Sequence, residues 1–190
     1  MELTARQERE LDYHREHAAR HAHLRDRPVA TDVLERLGQR PWNPYWHLMA
    51  RVAVEPLPGT RWLVPGCGFG DDAIRLALLG ADVTATDLSP ESLEITEARA
   101  RLAGIPRERM IVLEAPCERM PLEASSFDGV LLRDILHHVD IPATLDELRR
   151  LLKPGARVLG SELYTHGALQ RIRESRPVAR WLYPLVAKVI

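Results

Sequence analysis

The stretch "RWLVPGCGFGDDAIRLALLGADVTATD", residues 61–87, decides the fold. It opens with a short apolar run, Trp62–Val64, and passes through glycines at 66, 68 and 70. It then takes up helical spacing in "DDAIRLALL", stops at Gly80 and resumes as the β-branched, alternating "ADVTATD". A strand, a glycine turn, a helix and a second strand in that order make a βαβ unit with parallel strands. Glycines at the first turn let the main chain approach a ligand closely.

The same alternation continues on the C-terminal side. "SPESLEITEARARLAG" reads as a helix with Ser89 as N-cap, Pro90 at the first position and Gly104 as its stop. "RMIVLEA", "FDGVLLRD" and "GARVLGSEL" are three more strands, and "IPATLDELRRLLKPG" is a helix between the last two. The expected class is α/β: a Rossmann-like, doubly wound, mostly parallel sheet of five strands with right-handed crossovers. Residues 1–57 carry no strand signal and form a helical extension. They predict a helix to about Arg25, a second over Val29–Leu37 and a third in "PWNPYWHLMARVAVEPLPG", before Pro56, Pro58 and Gly59 break the chain. The chain thus divides into a helical lid or extension (1–57), a Rossmann-like core (58–163) and a C-terminal helical segment (164–190).

Bulk properties narrow the function. The 190 residues suit one domain with a real core, and 45% apolar with 28% charged content is ordinary for a soluble globular protein. A formal net charge of −1 gives no electrostatic ground for a nucleic-acid partner or an anionic membrane surface. Cys67 and Cys117 are too few for a disulfide framework and lack zinc-ligand spacing. The charged N-terminus has no apolar signal core, and no stretch reaches the length of a membrane span. The expected location is cytoplasmic, without stable membrane insertion.

Doubly wound sheets bind ligands beyond the carboxyl ends of their strands, where the strand order reverses. The unusual residues fall at four such ends: the glycines, Asp87, Pro116 with Cys117, and Asp134 with His137. Gly66, Gly68 and Gly70 form GxGxG; a dinucleotide fingerprint would place its third small residue at position 71, where this chain has Asp71 followed by Asp72. Carboxylates there suit a helix dipole but repel a pyrophosphate. S-adenosylmethionine (AdoMet), which carries a sulfonium and an ammonium group, tolerates them. Asp87, 17 residues after Gly70, is placed to accept both hydroxyls of an adenosine ribose, a feature common to dinucleotides and AdoMet.

"WLVPGCGFG", "VTATDLSPESLEIT", "ERMPLEASSFDGVLLRDILHHV" and "ELRRLLKPGARVL" follow in order the motifs of class I AdoMet-dependent methyltransferases. Over about residues 60–162 the chain resembles that family, and most of all its small-molecule members, which include quinone-biosynthesis enzymes. The resemblance implies AdoMet as cofactor, S-adenosylhomocysteine as product and a small-molecule acceptor. It implies that Gly66, Cys67 and Gly68 line the methionine end and that Asp87 holds the ribose. Leu88 would lie beside the adenine and the main chain around Cys117 and Glu118 at its edge, with Asp134 and Ile135 near the donor. Gly70 and Asp71 complete the expected cofactor set. Two positions depart from the pattern: Val64 stands where the family usually has an acid, and so does Pro116. Asp71, Asp72 and Glu118 are the carboxylates available as substitutes.

Methyl transfer from a sulfonium needs alignment and exclusion of water, and a base only if the nucleophile carries a proton. The candidate bases are His137 and His138, also readable as helix-start structure. Tyr13, His14, Trp42, Tyr45 and Trp46 are candidates for a lid and substrate wall, or for plain helix packing. His14, His17 and His21 share a helical face, which reads as solvated; no metal site is assigned. The family sheet has seven strands, and the last two are not found in "YTHGALQRIRESRPVARWLYPLVAKVI". The expectation is a truncated chain, or a homodimer partner covering the sheet edge. The alternatives to an enzyme of this family are a non-catalytic AdoMet-binding, partner-regulating module and a nicotinamide-dependent oxidoreductase.

Overall fold

The structure, a computed structural model, describes residues 3–32 and 44–162. Thr4 starts the first helix, α1 (Ala5–Arg20), through a reciprocal box: its hydroxyl accepts from the Gln7 amide, and the Gln7 side chain accepts from the Thr4 amide. α1 does not continue as α-helix to Arg25. His21 leaves helical geometry and sets its Nδ1 on the His17 carbonyl, 2.8 Å away, and a 3-10 turn follows over Ala22–Asp26. The helix expected over Val29–Leu37 lies largely outside the described residues, as does Trp42. Of α2 (Pro44–Val52) the backbone is described at Tyr45 and Trp46 but not the side chains. The expected C-terminal segment, 164–190, also lies outside.

The core follows the sequence alternation. In chain order it runs β1 (Arg61–Pro65), α3 (Asp71–Leu78), β2 (Asp82–Asp87), α4 (Pro90–Leu102), β3 (Met110–Glu114), β4 (Phe127–Arg133), α5 (Ile141–Leu151) and β5 (Leu152–Ser161). All five strands are parallel, in the order β3-β2-β1-β4-β5. The chain winds outward from β1 through β2 to β3, then returns to the other side for β4 and β5. The switch point therefore lies between β1 and β4.

Strand alternation splits the core into two layers. Trp62 and Val64 face one side with Ile74, Leu76 and Ala77 of α3, Met49 and Val52 of α2, and Ala100 of α4. Leu63 faces the other with Val130 and Leu132 of β4 and Leu148 and Leu151 of α5. Ile74, Leu76 and Leu63 are fully buried, each worth about 1.5–3 kcal/mol over leaving the side chain exposed.

α4 keeps its expected start: the Ser89 hydroxyl accepts from the Ser92 amide with Pro90 in the first turn. The expected helix "IPATLDELRRLLKPG" is shorter. Asp140 caps α5, which ends at Leu151, and Leu152–Gly155 belong to β5. Pro154 bars helical geometry at Lys153, and Gly155 takes φ +79° where the β4–β5 register shifts. No helix among the described residues is long and apolar enough to cross a membrane.

Candidate functional site

A cleft of roughly 610 Å³, mouth included, opens beyond the strand ends at the switch point. Its floor is the turn after β1. The Cys67 amide donates to the Thr86 carbonyl, and the Gly68 amide to the Asp87 carboxylate at 2.8 Å. The Gly68 carbonyl accepts from the Thr96 hydroxyl at 2.9 Å, and the Phe69 carbonyl from Arg99 at 2.8 Å. Four bonds to β2 and α4 thus fix the glycine turn before any ligand arrives. Gly66 and Gly68 both have positive φ but differ in what a side chain there would meet. A Cβ on Gly66 would strike the Ile135 side chain, whereas one on Gly68 would meet nothing within 4 Å. Gly66 is small because the protein packs there; Gly68 leaves open space at the cleft.

Asp87, at the end of β2, is buried at 7% exposure. Its Oδ2 accepts from Gly68 and its Oδ1 from the Ser89 amide at 2.9 Å. Burial pushes its carboxyl above the ordinary range; the Ser89 and Gly68 amides and the nearby His14 pull it back. Each oxygen keeps a second lone pair for a donor in the cleft. Leu88 lines the cleft beside it, and Ala115, Cys117 and Glu118 contribute from the end of β3.

Past β4, Asp134 takes φ +52°, a geometry that an Asp tolerates better than most side chains, while its amide donates to the Ser161 carbonyl. This turn brings Asp134, Ile135, His138 and Val139 to the cleft. Glu162 holds it from behind, accepting from the Ile135 and Leu136 amides at 2.7 and 2.6 Å and from His137 Nδ1 at 2.9 Å. Burial would raise the Glu162 carboxyl; the His137 ring and the two amides outweigh it and hold the group below its usual range.

The remaining wall is α1, which supplies Gln7, Glu10 and His14. Arg6 donates to the His137 carbonyl (3.2 Å), Gln7 to Glu118 (3.0 Å), and His138 Nδ1 lies 2.9 Å from Glu10. Tyr13, a candidate for this wall, is half exposed and does not line the cleft. His17 and His21 pack instead on Phe69, at ring separations of 5.2 and 5.4 Å. They therefore do not share one site with His14.

Four expected site residues do not line the cleft. Asp71 points to Arg99, with contacts of 2.9 and 3.3 Å, and Gly70 packs under Thr96. The Cys67 side chain turns into the apolar layer under α3. His137 faces Glu162. Asp72, buried at 5%, pairs with Arg75 and Arg133, so neither aspartate after the glycines stands in for the acid absent at Val64. Glu118 lines the cleft, tied to Gln7 and the Asp140 amide. Burial pushes both thiols, Cys67 and Cys117, well above their ordinary range, which favours the protonated form over the thiolate. Gln7, Glu10, Ala115 and Val139 line the cleft beyond the expected residues; for Gln7 and Glu10 the spacing with His14 (7, 10, 14) was the available sign.

A family model described as a methyltransferase domain matches residues 63–160, more than half of the chain. A demethylmenaquinone methyltransferase of Clavibacter sepedonicus is 38% identical over 121 residues, 63% of this chain and 48% of the relative. A ubiquinone biosynthesis O-methyltransferase of Methylocella silvestris is 37% identical over 138 residues, 72% of this chain and 52% of the relative. The chain thus spans about half the length of these relatives. Among solved structures, an S-adenosylmethionine dependent methyltransferase from Mesorhizobium loti is similar with TM-score 0.53 and 30% identity, covering 64% of this chain and 53% of that one. A phosphoethanolamine N-methyltransferase of Haemonchus contortus in complex with S-adenosyl-L-methionine gives TM-score 0.56 and 26% identity, covering 70% of this chain and 32% of that one. Sheet order, glycine turn and family match agree: the chain belongs to the class I AdoMet-dependent methyltransferases.

Proposed function

We propose that the chain binds AdoMet in this cleft and passes its methyl group to a small-molecule acceptor. Asp87 carries the reading: it is a buried carboxylate, fixed by two amides, with lone pairs left for the two hydroxyls of a ribose. In this reading Leu88 and the main chain at Cys117 lie beside the adenine, and Gly66 and Gly68 run along the methionine end. When bound, AdoMet supplies a methyl group on a sulfonium, already activated for in-line displacement. The chain then has to align the acceptor and exclude water, and α1 supplies the covering wall. Of the two adjacent histidines, His138 lines the cleft, and with Nδ1 donating to Glu10 its Nε2 is the basic atom for an acceptor proton. The names of the two quinone-enzyme relatives support a hydroxylated or quinone-type ring as acceptor.

Calorimetric titration with AdoMet, S-adenosylhomocysteine and NAD tests the reading, with both sulfur compounds expected to bind. Binding of NAD alone would overturn it. Incubation with AdoMet and a panel of ring hydroxyl acceptors should yield a product one methylene heavier. A second reading, an AdoMet-binding module without catalysis, is motivated by the buried Val64 in the place of the usual acid. Binding without turnover across the panel would favour it.

A further inference from the structure

Glu10, His14 and His138 meet at one corner of the cleft. Glu10 and His14 are four residues apart on α1 and so share a face. His138 arrives from the turn after β4, where its own amide donates to the Ile135 carbonyl at 2.9 Å. We propose that these three side chains form a site for one divalent cation of the zinc class, at the mouth of the cleft.

The geometry is close to what such an ion needs. Glu10 Oε2 lies 2.9 Å from His138 Nδ1 and 3.9 Å from His14 Nε2, and all three donor atoms lie within 4.8 Å of one another. Tetrahedral ligands at zinc distances stand about 3.4 Å apart, so the two observed separations fall on either side of the required one. Small rotations of long side chains close the difference. Two imidazoles and one carboxylate suit a borderline transition ion rather than magnesium or calcium, which take oxygen ligands. Three protein ligands also leave a fourth position, and all three side chains line the cleft into which it would open.

Outside the ligand set, Arg6 on the His137 carbonyl joins the two elements directly, and Gln7 joins α1 to Glu118, which in turn accepts from the Asp140 amide. An ion would therefore enter a largely organised site. Of the three α1 histidines the site uses only His14, since His17 and His21 pack on Phe69. One consequence rests on the methyl-transfer reading: ligation through Nδ1 leaves the proton on His138 Nε2, so an acceptor hydroxyl bound to the ion would be acidified there and lose its proton to water at the cleft mouth rather than to that ring.

The test uses the full chain stripped of metal. Calorimetry with Zn²⁺ and visible absorption with Co²⁺ should each report one ion per chain, while Mg²⁺ should not compete. Glu10→Gln, His14→Gln and His138→Gln should each weaken Zn²⁺ binding by at least about tenfold, the scale on which even outer-shell partners count. A His17→Gln/His21→Gln double variant should bind Zn²⁺ as the parent does. Thermal melting of the metal-free variants checks folding. If one variant is unfolded, a Zn²⁺-induced rise in Tm in the parent, lost in the other two, supports the site. Absence of saturable Zn²⁺ binding would overturn it, as would binding lost in the His17/His21 variant and kept in the other three. Failure to bind S-adenosylhomocysteine with Zn²⁺ binding intact counts against the methyl-transfer reading alone.

Discussion

At the floor of the cleft Asp87 is 7% exposed, and both its oxygens accept main-chain amides. On the facing wall the Glu10 side chain is 27% exposed and reaches two imidazoles, each on a side chain with its own rotamers. The floor is set by backbone geometry at the ends of parallel strands. The wall is set by side-chain contacts between segments more than a hundred residues apart. Under the proposed function the difference separates two tasks: a rigid seat for the adenosine of AdoMet, and a more adjustable wall over it.

The largest expected effect is at the floor. Asp87→Ala should cost about a hundredfold or more in S-adenosylhomocysteine affinity, since two charge-assisted hydrogen bonds are removed. Calorimetry measures it, with circular dichroism to show that the fold survives. If Glu10→Ala costs as much, the contrast between floor and wall is broken.

Next come the two glycines, which should fail in different ways. Gly66→Ala drives a methyl into Ile135 at positive φ and should lose about 1–3 kcal/mol of stability, read as a drop in the urea midpoint. Gly68→Ala meets open space and should lose about 1 kcal/mol from its backbone alone, yet weaken S-adenosylhomocysteine more than Gly66→Ala does. Equal effects of the two substitutions on binding would mean that Gly68 does not face the ligand.

Away from the cleft, on α5, Glu147 accepts from Arg150 and from the Met120 amide, and these bonds hold its carboxyl below the usual range. A lowered carboxylate stabilises fully above its unfolded pKa, and the gain is lost as pH falls through the folded value. Glu147→Gln should therefore cost about 1–3 kcal/mol near neutral pH, with the gap to the parent closing in acid. Urea midpoints across a pH series measure it; a gap that does not close assigns the loss to packing.

The smallest effect belongs to the wall. Gln7→Ala should cost no more than about 1 kcal/mol of stability, since it removes one half of the capping box at Thr4 and a part-buried bond to Glu118, while raising the dissociation rate of S-adenosylhomocysteine. Stopped-flow release is the measurement. An unchanged rate would separate α1 from any covering role.

The parts of the fold that were legible are those written in local signals. The strand–glycine–helix order, the Ser89 cap and the acid ending β2 each depend on neighbours in sequence, and each is where the sequence places it. The misplaced parts depend on distant partners. Asp71 and Asp72 suit a helix N-terminus whether they face a ligand or not; Arg99 on α4 and Arg133 on β4 decide that they turn away. The end of α5 was misjudged because "RRLLKPG" has helical content, and pairing with β4 claims Leu152 for the sheet. Glu10 shares a face of α1 with His14 by spacing alone, but only the docking of α1 beside His138 brings that face to the cleft.

Arg99 bears on the order of folding. Its one guanidinium group meets the Phe69 carbonyl, Asp71 and the Arg27 carbonyl, which lies 72 residues earlier in the chain. Through Arg27 the segment that follows α1 is tied to α4 and to the glycine turn, so its attachment needs both of them in place. α1 itself meets the core through side-chain bonds from Arg6, Gln7 and Glu10, so its amides should exchange with solvent by local detachment, while those of β1, paired on both sides, wait for global unfolding.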